Sequence, residues 1–129
     1  MPQGVVLVVD DDEATAALLA EVLTAEGYRV TRVAAPGDAL ALLTVAGSDA
    51  FGLVLSRPFS QQGDPYAFLG QLRAATDAPI AICARTPAPV YADYRRYGYA
   101  GLLAEPFDLA DVKALVTSLA PPADEPVSA

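Results

Sequence analysis

The residues VVLVV at positions 5–9 are followed directly by four acids, Asp10-Asp11-Asp12-Glu13, and then by a stretch of helical periodicity. A run of valine and leucine with no polar alternation is expected of a strand covered on both faces. The rest of the chain offers the covering layers, because further short apolar runs alternate with amphipathic stretches. Ala17, Leu18, Leu19, Val22, Leu23 and Ala25 make a broad helical stripe, closed by Gly27 as a left-handed cap. Tyr28–Val33 reads as a second strand and Pro36–Leu43 as a short helix with proline in its first turn. Phe51–Leu55 is the third strand. Asp64-Pro65 opens a helix, with Asp64 as its N-cap, and Phe68, Leu69 and Leu72 are its apolar face. Ile80–Ala84 is the fourth strand. A fourth helix is expected after Pro87 and Pro89, ending near Tyr97-Gly98. Gly101–Ala104 is a short fifth strand. Asp108 caps a last helix carrying Leu109, Val112, Leu115, Val116 and Leu119. Five strands alternating with five helices imply a doubly wound parallel sheet with helices on both faces. Positions 1–120 form one domain, and 121–129 an acidic, proline-rich tail expected to fray.

Composition narrows the chemistry. The chain has 129 residues, 53% of them hydrophobic, enough for a full core. Its net charge of −8 disfavours nucleic acid, whose phosphates need a basic face. It contains no histidine, so zinc binding and histidine-based acid/base catalysis are not expected. Its one cysteine, Cys83, lies in an apolar run and cannot form an internal disulfide. No apolar run approaches membrane-spanning length. A cytoplasmic setting, with no membrane partner, is the expectation.

In doubly wound sheets, sites form at the carboxyl ends of the strands. That directs attention to Asp10-Asp11, Ser56-Arg57, Ala84-Arg85 and Glu105-Pro106. A third strand that ends on serine and arginine is unusual, and those two residues need an explanation.

Several segments, in order, resemble the receiver domain of bacterial two-component response regulators. They are Leu7-Val8-Val9-Asp10-Asp11-Asp12-Glu13, Asp64-Pro65-x-x-Phe68-Leu69-x-x-Leu72-Arg73, Pro79-Ile80-Ala81-Ile82, and Gly98, Gly101 and Glu105-Pro106-Phe107. The resemblance covers Gly4 to Leu119. It implies a flavodoxin-like α/β fold: a five-stranded parallel sheet of order 2-1-3-4-5 between helical layers. It also implies a chemistry of five groups. Two acids hold magnesium, an aspartate at the third strand tip accepts a phosphoryl group, and a hydroxyl and a lysine bind its oxygens.

Carried onto this chain, the acid pair falls on Asp10 and Asp11. The acceptor position falls on Ser56, or on Arg57 if the register slides by one. The hydroxyl position falls on Ala84, or on Cys83 if slipped, the lysine on Glu105, and the aromatic switch residue on Leu102. The expected pocket is therefore degenerate: Asp10, Asp11, Ser56, Arg57, Ala84 and Glu105. Three acids close together raise a pKa or require a cation. Arg57, or Arg85 from the next tip, could supply the guanidinium. No cofactor is expected, and Asp10 and Asp11 hold magnesium or calcium at most weakly. Asp12 and Glu13 read better as caps of the first helix, and Ser56 as a small residue tolerated at an abandoned site. Glu105-Pro106 is a candidate cis peptide.

The function implied is a signalling or regulatory interaction module, not an enzyme, that works independently of aspartyl phosphorylation. Tyr91, Tyr94, Tyr97 and Tyr99, with Arg95, form an aromatic and cationic face at the fourth helix. With the fifth strand and last helix it would contact a protein partner or a second copy of the chain. The alternatives are a receiver that keeps only divalent-metal binding, and a metal-dependent phosphatase using Asp10 and Asp12. The phosphatase lacks the threonine two residues after the second acid, since Ala14 stands there. Flavin binding is rejected because an acidic loop replaces the phosphate cradle.

Overall fold

A computed structural model describes residues 4–59, 64–85, 91–105 and 107–119. Five parallel strands form one sheet in the order β2-β1-β3-β4-β5. They are β1 (Val5–Val9), β2 (Arg29–Val33), β3 (Leu53–Ser56), β4 (Ile80–Arg85) and β5 (Gly101–Glu105). Four helices cover it among the described residues: α1 (Glu13–Ala25), α2 (Pro36–Ala46), α3 (Ala67–Ala75) and α4 (Leu109–Leu119). None of them is long and apolar enough to cross a membrane. The carboxyl-terminal segment 120–129 and Pro106, and with it the candidate cis peptide, lie outside the described residues.

β1 is buried from Val6 to Val9, as its unbroken apolar run requires. Its side chains alternate between two cores. Val6 and Val8 join Leu53, Leu55, Ala81, Cys83 and Leu103 beneath α1 and α4. Leu7 and Val9 join Val54, Ile80, Ile82 and Ala84 beneath α2 and α3.

The helix ends follow local chemistry. Asp12 caps α1, accepting from the Ala14 N–H (3.1 Å) and the Thr15 hydroxyl (3.0 Å). At the other end the Tyr28 N–H reaches the Leu23 carbonyl and the Gly27 N–H that of Thr24. That pattern needs the left-handed φ of 97° at Gly27. Asp108 and Asp111 cap α4 reciprocally, each accepting the other's backbone N–H at 2.9 and 3.1 Å.

Three expectations need correction. The buried stripe of α1 is Ala16, Leu19, Val22 and Leu23, while Leu18 is 41% exposed. The broad stripe is too wide for one contact face, and the helix rotates its larger side to solvent. α3 begins at Ala67 rather than at Pro65, because Asp64 accepts from the Tyr66 N–H and closes a turn ahead of the helix. Finally, of the fourth helix expected after Pro87 and Pro89, residues 86–90 lie outside the described residues, and the described part, Tyr91–Gly98, is not α-helical. Tyr94, Arg96, Tyr97 and Gly98 each donate to the carbonyl three residues back. Tyrosine, aspartate and glycine are mediocre to poor helix formers, and a short segment of them settles into tighter turns.

Candidate functional site

The order of the strands reverses between β1 and β3, so the crevice at their carboxyl ends is the switch point of the sheet. The ladder carries past both strands there. The Arg57 N–H donates to the Val9 carbonyl at 2.9 Å, and the Asp10 N–H to the Val33 carbonyl at 3.1 Å. These bonds fix which way the next side chain turns. Asp10 continues the Val6–Val8 parity, Arg57 the Leu53–Leu55 parity, and Glu105 the Gly101–Leu103 parity. All three therefore rise on the α1/α4 side of the sheet.

There the Arg57 guanidinium stands among three carboxylates. Its Nη1 is 3.7 Å from Asp10 Oδ1 and 3.6 Å from Glu105 Oε2, and its Nε is 3.5 Å from Asp11 Oδ1. These spacings are coulombic contacts rather than close hydrogen bonds. Asp10 is almost completely enclosed, its side chain 1% exposed, whereas that of Asp11 is 64% exposed. Asp10 Oδ1 also accepts the Asp12 N–H at 2.8 Å. Burial pushes the Asp10 carboxyl above its ordinary range; the Asp12 N–H and Arg57 oppose that, and Glu105 and Asp11 add to it. Asp12 shifts the other way, held down chiefly by the Thr15 hydroxyl. Cys83 is the floor of this cluster. Burial, and then the charges of Asp10 and Glu105, push its thiol far up, so it is an inert hydrophobe.

Ser56 does not join the cluster. It is fully buried on the α2/α3 parity, and its hydroxyl donates to the carbonyl of Arg57 at 2.7 Å. Ala84 is buried in the same α2/α3 core, and Leu102 packs at its margin. Of the two registers open in the sequence, the structure places Arg57 beside the acid pair. Glu13 turns away to pair with Arg32 at 2.6 Å. Arg85 ends β4 in register with Glu105; its side chain lies outside the described residues.

The guanidinium lies where a metal between Asp10 and Asp11 would have to approach. A divalent ion there would set its charge against Arg57, so these residues do not fit one with Arg57 in place. The described residues also hold no group of three or more metal-ligating side chains arranged for an ion.

The tyrosines divide into a core group and a surface group. Tyr91 and Tyr99 are buried, Tyr94 is half-buried, and Tyr97 is 47% exposed. The centre of the group is Tyr66, which sequence reasoning did not single out. Its ring lies 5.4 Å from Tyr91, 4.5 Å from Tyr97 and 5.7 Å from Tyr99. Arg73 was missed as well. It lies 5.5 Å from the centre of the Tyr99 ring and donates to the Tyr97 carbonyl. The one signal was Tyr66 following Pro65 at the head of α3. Tyr91 and Tyr99 therefore belong to the core rather than to a partner face. Arg95 stays outside, donating to the Tyr94 hydroxyl at 3.1 Å.

No family model matches the chain, and no curated relative matches it. Solved structures do. NtrX from Brucella abortus is 22% identical over 89% of this chain, with a TM-score of 0.77, and the chain spans about a quarter of it (26%). CheY4, a chemotaxis protein of Vibrio cholerae, is 21% identical, with a TM-score of 0.70, and the match covers 90% of this chain and 98% of that one. A response regulator receiver domain protein from Clostridium thermocellum is 15% identical, with a TM-score of 0.78, covering 90% and 93% of the two chains. At such identities the likeness is one of architecture: the chain has the fold of response regulator receiver domains.

Proposed function

We propose that the chain is an atypical receiver-like module of two-component signalling, cytoplasmic, that works through protein–protein contacts and without aspartyl phosphorylation. The observation that carries this reading is Arg57. The resemblance to receivers calls for an aspartate at the tip of β3. The residue whose side chain meets the acid pair there is an arginine, at 3.5 and 3.7 Å from Asp11 and Asp10. A protonated guanidinium held among carboxylates is no nucleophile and does not replace an acceptor carboxylate, and it supplies in advance the positive charge that a metal would bring. Glu105 stands at the position that resemblance gives to a lysine, so an incoming phosphoryl group would meet a further carboxylate. Ser56 is no substitute acceptor: it is buried, and its hydroxyl is engaged with the Arg57 carbonyl.

The phosphatase alternative is weakened by Asp12. Both of its oxygens are taken up in capping α1, and its carboxyl is shifted down rather than poised as an acid. The partner surface in this reading is the edge formed by the Tyr91–Gly98 turns, β5 and α4, for a protein or a second copy of the chain. Its contacts fall on Tyr94, Arg95 and Tyr97, since Tyr91 and Tyr99 are inside.

The test is intact-mass measurement after incubation with magnesium and acetyl phosphate. The expected result is an unchanged mass. A gain of one phosphoryl group would overturn the reading, and turnover of a phosphomonoester in the same buffer would favour the enzyme instead.

A further inference from the structure

We propose that the cavity between α1 and the end of β2 is a socket for a primary alkylammonium group, anchored by the Asp10 carboxylate. This site goes beyond the signalling reading and does not rest on it. The cavity has a volume of about 290 Å³ and is lined by Asp10, Glu13, Ala16, Arg32, Val33 and Ala34. The two oxygens of Asp10, whose side chain is 1% exposed, are in unequal positions. Oδ1 accepts the Asp12 N–H at 2.8 Å and stands 3.7 Å from Arg57 Nη1. Oδ2 is buried and has no hydrogen-bond partner. A buried carboxylate oxygen in that state has lost its hydration without recompense. The other charged members of the wall, Glu13 and Arg32, satisfy each other at 2.6 Å. The unmet need in this cavity is therefore a donor for Asp10.

Three features set the class of ligand. The first is charge. Asp10, Asp11, Asp12, Glu13 and Glu105 crowd this end of the sheet, and among the described side chains only Arg32 and Arg57 oppose them. A cation is drawn in and an anion repelled. The second is the donor set. A divalent ion lacks a third ligating side chain among the described residues, whereas an ammonium carries its own N–H donors and needs only acceptors. It also enters from the β2 side, while Arg57 occupies the crevice toward Asp11 and Glu105. The third is the wall. Ala16, Val33 and Ala34 are small and apolar, which suits the methylene stem behind an ammonium head. Glu13, with its side chain 86% exposed, is a second acceptor once it leaves Arg32, because exposed ion pairs hold weakly.

The test is titration of the isotope-labelled full chain with n-butylammonium chloride at constant ionic strength. The amides of Ala16, Val33 and Ala34 should shift saturably, and that of Gly98, on the tyrosine edge, should not. Tetramethylammonium, which has the charge without N–H, and n-butyrate, which reverses it, should give no saturable shift. Asp10→Asn should weaken binding about tenfold, the change expected from losing one charge-assisted hydrogen bond. Ala34→Leu fills the cavity, leaves every charge in place and should abolish binding. A capped tripeptide with a central lysine separates the two sources of such a group. Tighter binding than butylammonium assigns the socket to a lysine of a protein partner, and weaker binding assigns it to a free amine. Linear, unsaturated shifts in the wild type would overturn the proposal. So would equal binding of tetramethylammonium, or unchanged affinity in Ala34→Leu. Each of these failures leaves the phosphorylation-independent reading standing, because that is judged by intact mass.

Discussion

The two faces of the sheet use the same strands and end them differently. On the α1/α4 face, the parity that buries Val8 and Leu55 runs out into Asp10 and Arg57, and the strand tips finish in charge. On the α2/α3 face, the parity that buries Val9 and Val54 runs out into Ser56, and Ala84 stays in the core. Tyrosines close the far edge of that second face. One step along β3 thus separates a cation in the acid crevice from a hydroxyl sealed in the core. In a parallel sheet, which residue meets the crevice is decided by register, not by nearness in sequence.

The largest effect that would break the contrast is at Arg57. Arg57→Ala leaves Asp10 and Glu105 enclosed without their guanidinium, and should cost about 3 kcal/mol at neutral pH, read by urea denaturation. Tyr66→Ala removes the hub of the ring cluster on the other face and should cost about 2 kcal/mol in the same assay, below the cost of truncating a fully buried aromatic because Tyr66 is only half-buried. Gly98→Ala should cost about 1–2 kcal/mol. Gly98 has φ of 91°, and a Cβ there would meet the Arg73 guanidinium carbon at 2.8 Å. Ser56→Ala loses one hydroxyl bond to a neighbouring carbonyl and should cost about 1 kcal/mol. If it cost more than Arg57→Ala, the division between the faces would be wrong.

The smallest expected effect concerns pH, and its sign differs between two near neighbours. The Asp10 carboxyl is raised in the folded protein by burial, so the folded state holds that proton more tightly than the unfolded chain. Its contribution is present below the unfolded pKa and is lost as pH rises through the folded value. The Asp12 carboxyl is lowered, so its contribution is present above the unfolded pKa and is lost as pH falls through the folded value. Asp10→Asn should therefore raise the midpoint of thermal unfolding at pH 7, and Asp12→Asn should lower it. Thermal scans at pH 7 and pH 3 check both, since the two differences should shrink at the lower pH.

Much of the architecture was legible because buried parallel strands announce themselves. Val5–Val9 and Ile80–Cys83 have no other reasonable use, and Gly27, Asp12 and Asp108 mark helix ends by chemistry that acts locally. The crevice was legible down to Arg57 as a counter-charge beside Asp10, Asp11 and Glu105. The choice between Ser56 and Arg57 was not, because it depends on a bond from the Arg57 N–H to the carbonyl of Val9, in a different strand far earlier in the chain. The tyrosine segment misled for a different reason. A spacing of three suits both an α-helix stripe and successive tight turns, where residues three apart eclipse one another. Only contact with Tyr66 and Arg73, from a distant helix and the turn before it, decides which rings go inside.

In the proposed reading Arg57 stands in for an exogenous cation, and magnesium titration followed through the backbone amides of Asp11, Arg57 and Glu105 tests that role most directly. The wild type should show no saturable shift at millimolar magnesium, with or without beryllofluoride, while Arg57→Ala should gain saturable magnesium shifts. Saturable magnesium binding by the wild type, tightened by beryllofluoride, would contradict that role for Arg57.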